Sequence, residues 1–402
     1  MRQVLSSPWG VLGVTLAIQA LVSMTVITVP AMAPAVAQAL HVSPSLVGAY
    51  IGLVYVGATL ASSIAGPLVL RYGALRVSQW GLLACAAGLA VSALWASVPG
   101  MVVGALLVGL GYGPITPASS HLLARTTPAH RAALVFSIKQ TGVPLGGVMA
   151  GAIVPPLVLA GGVGLALWSV AAGCVLCALL AQPPRAALDA DRDPTRAVSP
   201  ASFLRPIRLV LGHPQLAPLA AYSFVFSAMQ MCLAAFLVTY LHTRLGYSLL
   251  AAGAALSVAQ AGGVFGRVLW GYIADRWLGT GRMLASLAAL MGLCAAATAA
   301  LQAGVPRPLV LALMAAFGAS ATGWNGVYLA EVARRAPAGM AGTATGGSLA
   351  ITFFGVVLGP MLFSAVSTLF GSERAGFVGL ALAVAVCAWR LWRSARVSKD
   401  PA

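Results

Sequence analysis

Between Arg2 and Arg71 the chain has no other charged residue. Apolar runs of this kind recur along the sequence, each near the roughly 20 residues that an α-helix needs to cross a bilayer. They predict twelve spans at about residues 10–35, 45–70, 75–97, 99–124, 131–158, 161–182, 217–241, 248–275, 282–303, 308–334, 340–369 and 374–393. The runs are unbroken and rich in Ala, Leu and Gly, unlike the short alternating segments of a transmembrane barrel. Only 7% of residues are charged and the mean hydropathy is +0.94, whereas a soluble domain is about 25% charged. A soluble fold could not cover its surface with this composition, so the expected class is an all-α membrane protein.

The net charge of +16 taken alone would suit nucleic acid. Its distribution argues against that partner. With both termini cytoplasmic, eighteen of the 23 Lys and Arg fall in cytoplasmic segments. Three (Arg244, Arg307, Arg374) fall outside, and two (Lys139, Arg267) lie within spans. This positive-inside bias predicts a multi-pass protein of a bacterial inner membrane, with the lipid bilayer as its solvent. The first apolar run is too long for the core of a cleaved leader and reads as a retained helix. All six cysteines fall inside spans. Cys174 and Cys177 form a C-x-x-C with no His or acid nearby, which suits small buried residues better than a metal or disulfide site. No cofactor, metal cluster or nucleotide motif is expected.

The longest polar stretch, residues 183–214, contains Asp189, Asp191 and Asp193 and separates six spans from six. It predicts an N-terminal six-helix bundle (1–183), a central cytoplasmic loop (184–215) and a C-terminal six-helix bundle (216–402). Residues 203–211 suit either a short amphipathic element on the membrane surface or a plain linker. The halves repeat each other. Gly66-Pro67-Leu68-Val69-Leu70-Arg71 follows the second span, and Gly271-Tyr272-Ile273-Ala274-Asp275-Arg276 follows the eighth, 205 residues later. Ala124-Arg125 ends the fourth span and Ala333-Arg334 the tenth, 209 residues later. Duplication of a six-helix unit points to a transporter with its site between the repeats.

On these residues the whole chain resembles the major facilitator superfamily. Its G-x-L-x-D-R signature is matched by Gly66, Leu68 and Arg71, with Leu70 in the Asp position. The second copy matches at Gly271, Asp275 and Arg276, with Ile273 in the Leu position. The resemblance implies two pseudo-two-fold-related bundles rocking about a central cavity. It also implies a monomeric secondary transporter rather than an enzyme.

Lys139 lies eight residues beyond Arg131 in the fifth span, and the first 188 residues contain no Asp or Glu. Arg267 lies eight residues before Asp275 in the eighth. At about 1.5 Å per residue, each stands ~12 Å into the membrane. Charges at such depth are costly and mark function. The resemblance implies that the fifth and eighth helices line the cavity, where two cations would select an anion. Arg267 could hold a carboxylate bidentately. Gly266-Arg267, Gly271 and Asp275-Arg276 also resemble the eighth helix of monocarboxylate and oxalate/formate porters, whose arginine contacts the substrate carboxylate. Gln260 shares a helix face with Arg267. Gln140, Asn325 and Tyr328 complete the expected substrate set, with Gln19, Gln230, Tyr222 and Trp324 as further neighbours. The structural alternatives are backbone carbonyls around Lys139 and an ion pair of Arg267 with Asp275.

Asp275, Arg276, Glu331 and Arg335 form the expected intracellular gate, with Arg71 in the first repeat. Glu331 and Arg335 stand one helical turn apart. Leu70 and Leu122 occupy the aligned positions of the N-terminal half, so a single latch is expected. The resulting expectation is a transporter of a small organic anion, a carboxylate, by alternating access, as proton symport or anion exchange. The second reading is a multidrug/proton antiporter. Gly142-Val143-Pro144-Leu145-Gly146-Gly147 is similar to the G-P-x-x-G-G of drug antiporters, with the Pro one place late. Two intramembrane cations would repel a cationic drug.

Overall fold

The computed structural model describes residues 8–126, 135, 138–195, 204–337 and 341–397, and no strand occurs among them. Lipid offers no partners to backbone N–H and C=O groups, so apolar spans of this composition close their hydrogen bonds internally as helices. In chain order these are α1 (Pro8–Ala31), α2 (Ala33–Leu40), α3 (Val47–Tyr72), α4 (Ala74–Leu94), α5 (Val98–Tyr112), α6 (Ile115–Thr126), α7 (Gly142–Leu180) and the short α8 (Arg185–Leu188). There follow α9 (Leu204–Gly212), α10 (Leu216–Leu245), α11 (Leu249–Ile273), α12 (Thr280–Ala300), α13 (Arg307–Gly323), α14 (Asn325–Arg335), α15 (Ala341–Leu369) and α16 (Glu373–Val397). A π-helical turn, Ala274–Leu278, links α11 to α12.

Among the described residues, eleven helical segments are long and apolar enough to cross a membrane. One of them, Ile138–Leu180, is 43 residues long. It breaks where Gly161 is extended and Gly162 takes φ +78°. That break falls between the fifth and sixth expected spans, so the fold is the expected twelve-helix one. Most of the fifth span's start, residues 131–134, 136 and 137, lies outside the described residues.

The chain forms two compact units. The first contains Met1–Pro44 and Leu53–Ala201, the second Ser45–Gly52 and Ser202–Ala402. In the first, α1 packs on α7 and α4 on α5; in the second, α11 packs on α13, α12 on α16 and α10 on α15. Small residues let these helices approach, as is common in membranes. A Cβ at Gly146 would stand 2.3 Å from the Ala20 carbonyl oxygen, and one at Gly318 only 1.7 Å from that of Ala259. Of the two readings of residues 203–211, the short amphipathic element fits the structure, with Val210 buried and Leu211 exposed. Residues 204–212 form α9, which packs on α15.

Two of the interrupted spans break at matched positions of the repeat. The fourth breaks at Gly113–Pro114 into α5 and α6, and the tenth breaks between Gly323 and Asn325 into α13 and α14. Pro114 and Gly323 are 209 residues apart, the spacing already seen at the ends of these spans. The duplication therefore extends to the position of a helix break.

Candidate functional site

In the first unit the break in the fourth span carries the polar chemistry. Thr116 sits in the first turn of α6 and is exposed. Its hydroxyl donates to Gln19 Oε1 at 3.3 Å and accepts from Lys139 Nζ at 3.4 Å. Gln19 Nε2 donates onward to Ser23 at 3.2 Å. Lys139 also donates to Gln140 Oε1 at 3.4 Å. Lys139 is only 1% exposed and Gln19 is fully buried, while Gln140 is half-buried. The arrangement follows from Gly142 and Gly146, one turn apart at the start of α7. A Cβ at Gly142 would press on the Gln19 side chain at 3.0 Å. The close approach of α7 to α1 thus brings Lys139, three residues earlier, into line with Thr116 and Gln19.

In the second unit the aligned break also gathers polar groups. Asn325, 209 residues after Thr116, donates to Gln230 Oε1 at 3.3 Å. Trp324 Nε1 donates to the same oxygen at 3.1 Å. Trp324 stacks edge-on against Phe226 and Tyr328. Tyr328 is buried beside Ser223, Ser348 and Thr352, and its hydroxyl has no hydrogen-bond partner among the described residues. Arg267 Nε donates to the Thr322 carbonyl at 3.2 Å, at the end of α13. Gly263 makes room for this, since a Cβ there would meet the Thr322 side chain at 2.6 Å. Gln260 is half-buried two turns earlier on α11. Of the expected substrate set, then, Lys139 and Gln140 meet in the first unit and Asn325 and Tyr328 flank Trp324 in the second. Arg267 binds the α13 terminus rather than Asp275.

The expected gate assembles only in part. Glu331 is fully buried. Its Oε1 accepts from Arg334 and Arg335 at 2.6 Å each, and its Oε2 accepts from Arg334 at 2.9 Å and from the Thr280 hydroxyl. Asp275 and Arg276 lie exposed on the π-helical turn, outside this group. Arg334 takes the place expected for Arg276. Arg71 sits 5.4 Å over the Tyr72 ring.

The first unit has an acid–arginine group of its own, although Leu70 and Leu122 hold the aligned positions. In the first unit Asp191 accepts from His121 at 2.6 Å and pairs with Arg125. The His121 and Arg125 bonds, with the charge of Arg125, outweigh burial and hold this carboxyl below the usual carboxylate range. Two residues away, Asp189 is 5% exposed and accepts from the backbone N–H groups of Leu75 (2.7 Å) and Arg76 (3.0 Å). Burial pushes its carboxyl up, against those bonds and the charges of Arg185 and Arg192.

Sequence reasoning also missed Thr116, although Gly113-Pro114 just before it is a helix-breaking pair.

The sequence profile of the Major Facilitator Superfamily matches residues 15–352. No curated relative matches the chain. Among solved structures, the nucleoside transporter NupG superposes with a TM-score of 0.78 at 16% identity, over 95% of this chain and 99% of that one. A bacterial homolog of the human lysosomal transporter Spinster, in an inward-facing and occupied conformation, gives 0.76 at 18% identity, over 96% of each chain. The peptide transporter POT in complex with sulfate gives 0.76 at 17% identity, over 98% of each chain. These likenesses concern the fold. The profile match runs through both repeats and both broken spans, and on it the chain belongs to the Major Facilitator Superfamily of secondary transporters, a multi-pass membrane protein rather than an enzyme.

Proposed function

We propose that the protein carries a small organic anion, a carboxylate, across the membrane by alternating access. The observation that carries this reading is Lys139. An ammonium 1% exposed is held by Thr116 and Gln140, and Thr116 opens to an exposed surface. Polar side chains at a broken membrane helix suit a substrate site. Arg267 supplies the corresponding cation of the second unit, with Asn325, Gln260, Gln140 and Tyr328 as the neutral groups that orient the ligand. Glu331 and Arg335, with Asp275, Arg276 and Arg71, are the proposed gating set. The positive-inside bias favours cytoplasmic termini in a bacterial inner membrane, and we take the working form to be a monomer.

The test is uptake into proteoliposomes from a panel of mono- and dicarboxylates. The parent accumulates at least one of them, and Lys139→Met lowers that uptake by about tenfold or more, as expected for losing a charge-assisted hydrogen bond. If Lys139→Met and Arg267→Met both transport at the parental rate, the cationic site is wrong. Comparing an imposed proton gradient with preloaded internal anion distinguishes symport from exchange.

A further inference from the structure

The first unit lacks an acid where the second has one, and a different part of the chain supplies it. Glu331, on α14, packs against the start of α12, the third helix of its repeat. Thr280 donates to it, and a Cβ at Gly281 would lie 3.5 Å from its Oε1. The aligned residues of the first unit, 205 earlier, are Leu75 and Arg76, and their amides bind Asp189. Glu331 also pairs with Arg334. The aligned Arg125 pairs with Asp191, while Leu122, aligned with Glu331, is fully buried and apolar. Each unit thus sets a carboxylate at the start of the third helix and neutralises the same arginine of the fourth. The second unit does both with one helix-borne glutamate. The first uses two aspartates from beyond the sixth helix.

The docking is specific to that segment. Gly73 takes φ +95°, and a Cβ there would overlap Asp189 at 2.3 Å. Asp193 N–H donates to the Leu70 carbonyl at 2.8 Å, Arg125 donates to the Leu188 carbonyl at 3.3 Å, and Leu188 is buried. We infer that residues 188–193 form a clasp that substitutes, in the first unit, for the acid absent from its fourth helix. The buried Asp189 arm fixes the start of α4. The Asp191 side chain is 31% exposed, so its arm can release without unfolding a helix, and the clasp loosens in salt as an exposed pair does.

The experiment is hydrogen exchange and thermal unfolding of the full-length protein in detergent. Asp189→Ala speeds exchange at Leu75 and Arg76 by about tenfold, the scale of one lost capping bond, and leaves the start of α12 unchanged. Asp191→Asn lowers Tm, and Leu122→Glu restores it in that background because it places an acid one turn from Arg125, as Glu331 is from Arg334. In the parent background Leu122→Glu lowers Tm. Parental exchange at Leu75 and Arg76 in Asp189→Ala overturns the proposal. So does a Leu122→Glu penalty of equal size with and without Asp191. If Asp189→Ala does not fold, the Asp191 and Leu122 cycle carries the test alone.

Discussion

The two units hold Lys139 and Arg267, the cations expected at depth in the membrane, differently. In the first, Lys139 is buried against the hydroxyl of Thr116 on α6 and the carboxamide of the adjacent Gln140. In the second, Arg267 is half-buried and donates to the carbonyl of Thr322 where α13 ends. A helix terminus leaves carbonyls without intrahelical partners, so an arginine there has structural work. Lys139 is held by side chains that can turn to a ligand. The acids divide in the same way: Glu331 is part of a buried helix-borne group, whereas Asp191 reaches in from a solvent-facing segment. One unit builds its ionic groups into helices, and the other assembles them from separate pieces.

Removing Glu331 should test this contrast most severely. Glu331→Ala removes a fully buried carboxylate from Thr280, Arg334 and Arg335. Arg334 is 63% exposed and can hydrate, so the loss should be about 1.5–3 kcal/mol, the scale of a hydrogen bond to a charged group. Asp191→Asn breaks a partly exposed pair and should cost about 0–1 kcal/mol. Thermal unfolding of the two variants under one set of detergent conditions gives the ratio. Equal losses would mean that the first unit's clasp is as integral as the second unit's helix group.

The cations come next in size. Arg267→Met loses the bond to Thr322 and should destabilise the ligand-free protein by about 1–3 kcal/mol. Lys139→Met replaces a buried charge with an apolar chain of similar length, a change that is often neutral or stabilising. Its Tm should stay within a degree or two of the parent or rise, while the stabilisation produced by added carboxylate disappears. If Lys139→Met unfolds as readily as Arg267→Met, the two cations serve the same structural role.

How much of this was legible depended on whether the cause was local. The charge-free runs announced the helices because lipid leaves a long apolar segment no other way to satisfy its backbone. The repeat of Gly66–Arg71 at Gly271–Arg276 announced the duplication, and depth alone singled out Lys139 and Arg267. Hydropathy runs straight through the breaks at Pro114 and Gly323, and only the first carries a helix-breaking pair, Gly113-Pro114. Thr116 was overlooked because a single hydroxyl in an apolar helix has no pattern; only the approach of α7 to α1 gives it Lys139 and Gln19 as neighbours. The bond from Asp189 to Leu75 joins residues 114 apart, and no local spacing encodes it. Reading Leu70 and Leu122 as the absence of a latch was sound for the aligned positions. Acids nevertheless reach this region from another segment, as Asp189 and Asp191.

The clasp itself should respond to pH through two acids with opposite slopes. The Asp191 carboxyl is held low. Its pair therefore contributes stability above the unfolded carboxylate value, about 3.9, and loses it as pH falls through the lower folded value. The Tm difference between the parent and Asp191→Asn should be full at neutral pH and close in strong acid. Asp189 is pushed up by burial. The parent should therefore gain relative to Asp189→Asn as pH falls through that raised value. Gaps that move in the same direction would show that the two aspartates share one environment, against the two-arm arrangement.

The smallest effect belongs to the second unit's aromatic group. Tyr328 buries its ring against Trp324, and its hydroxyl has no partner among the described residues. A buried hydroxyl without a bond costs desolvation and returns nothing, so Tyr328→Phe should leave Tm unchanged or raise it slightly, by no more than about 1 kcal/mol of stability. Carboxylate-dependent stabilisation of the same variant then separates two roles. If it matches the parent, Tyr328 contributes packing alone and the substrate set in the second unit contracts to Arg267, Asn325 and Gln260. If it falls while ligand-free Tm holds, the hydroxyl has its partner in the bound substrate, and the second unit, like the first, keeps a side chain in reserve for the ligand.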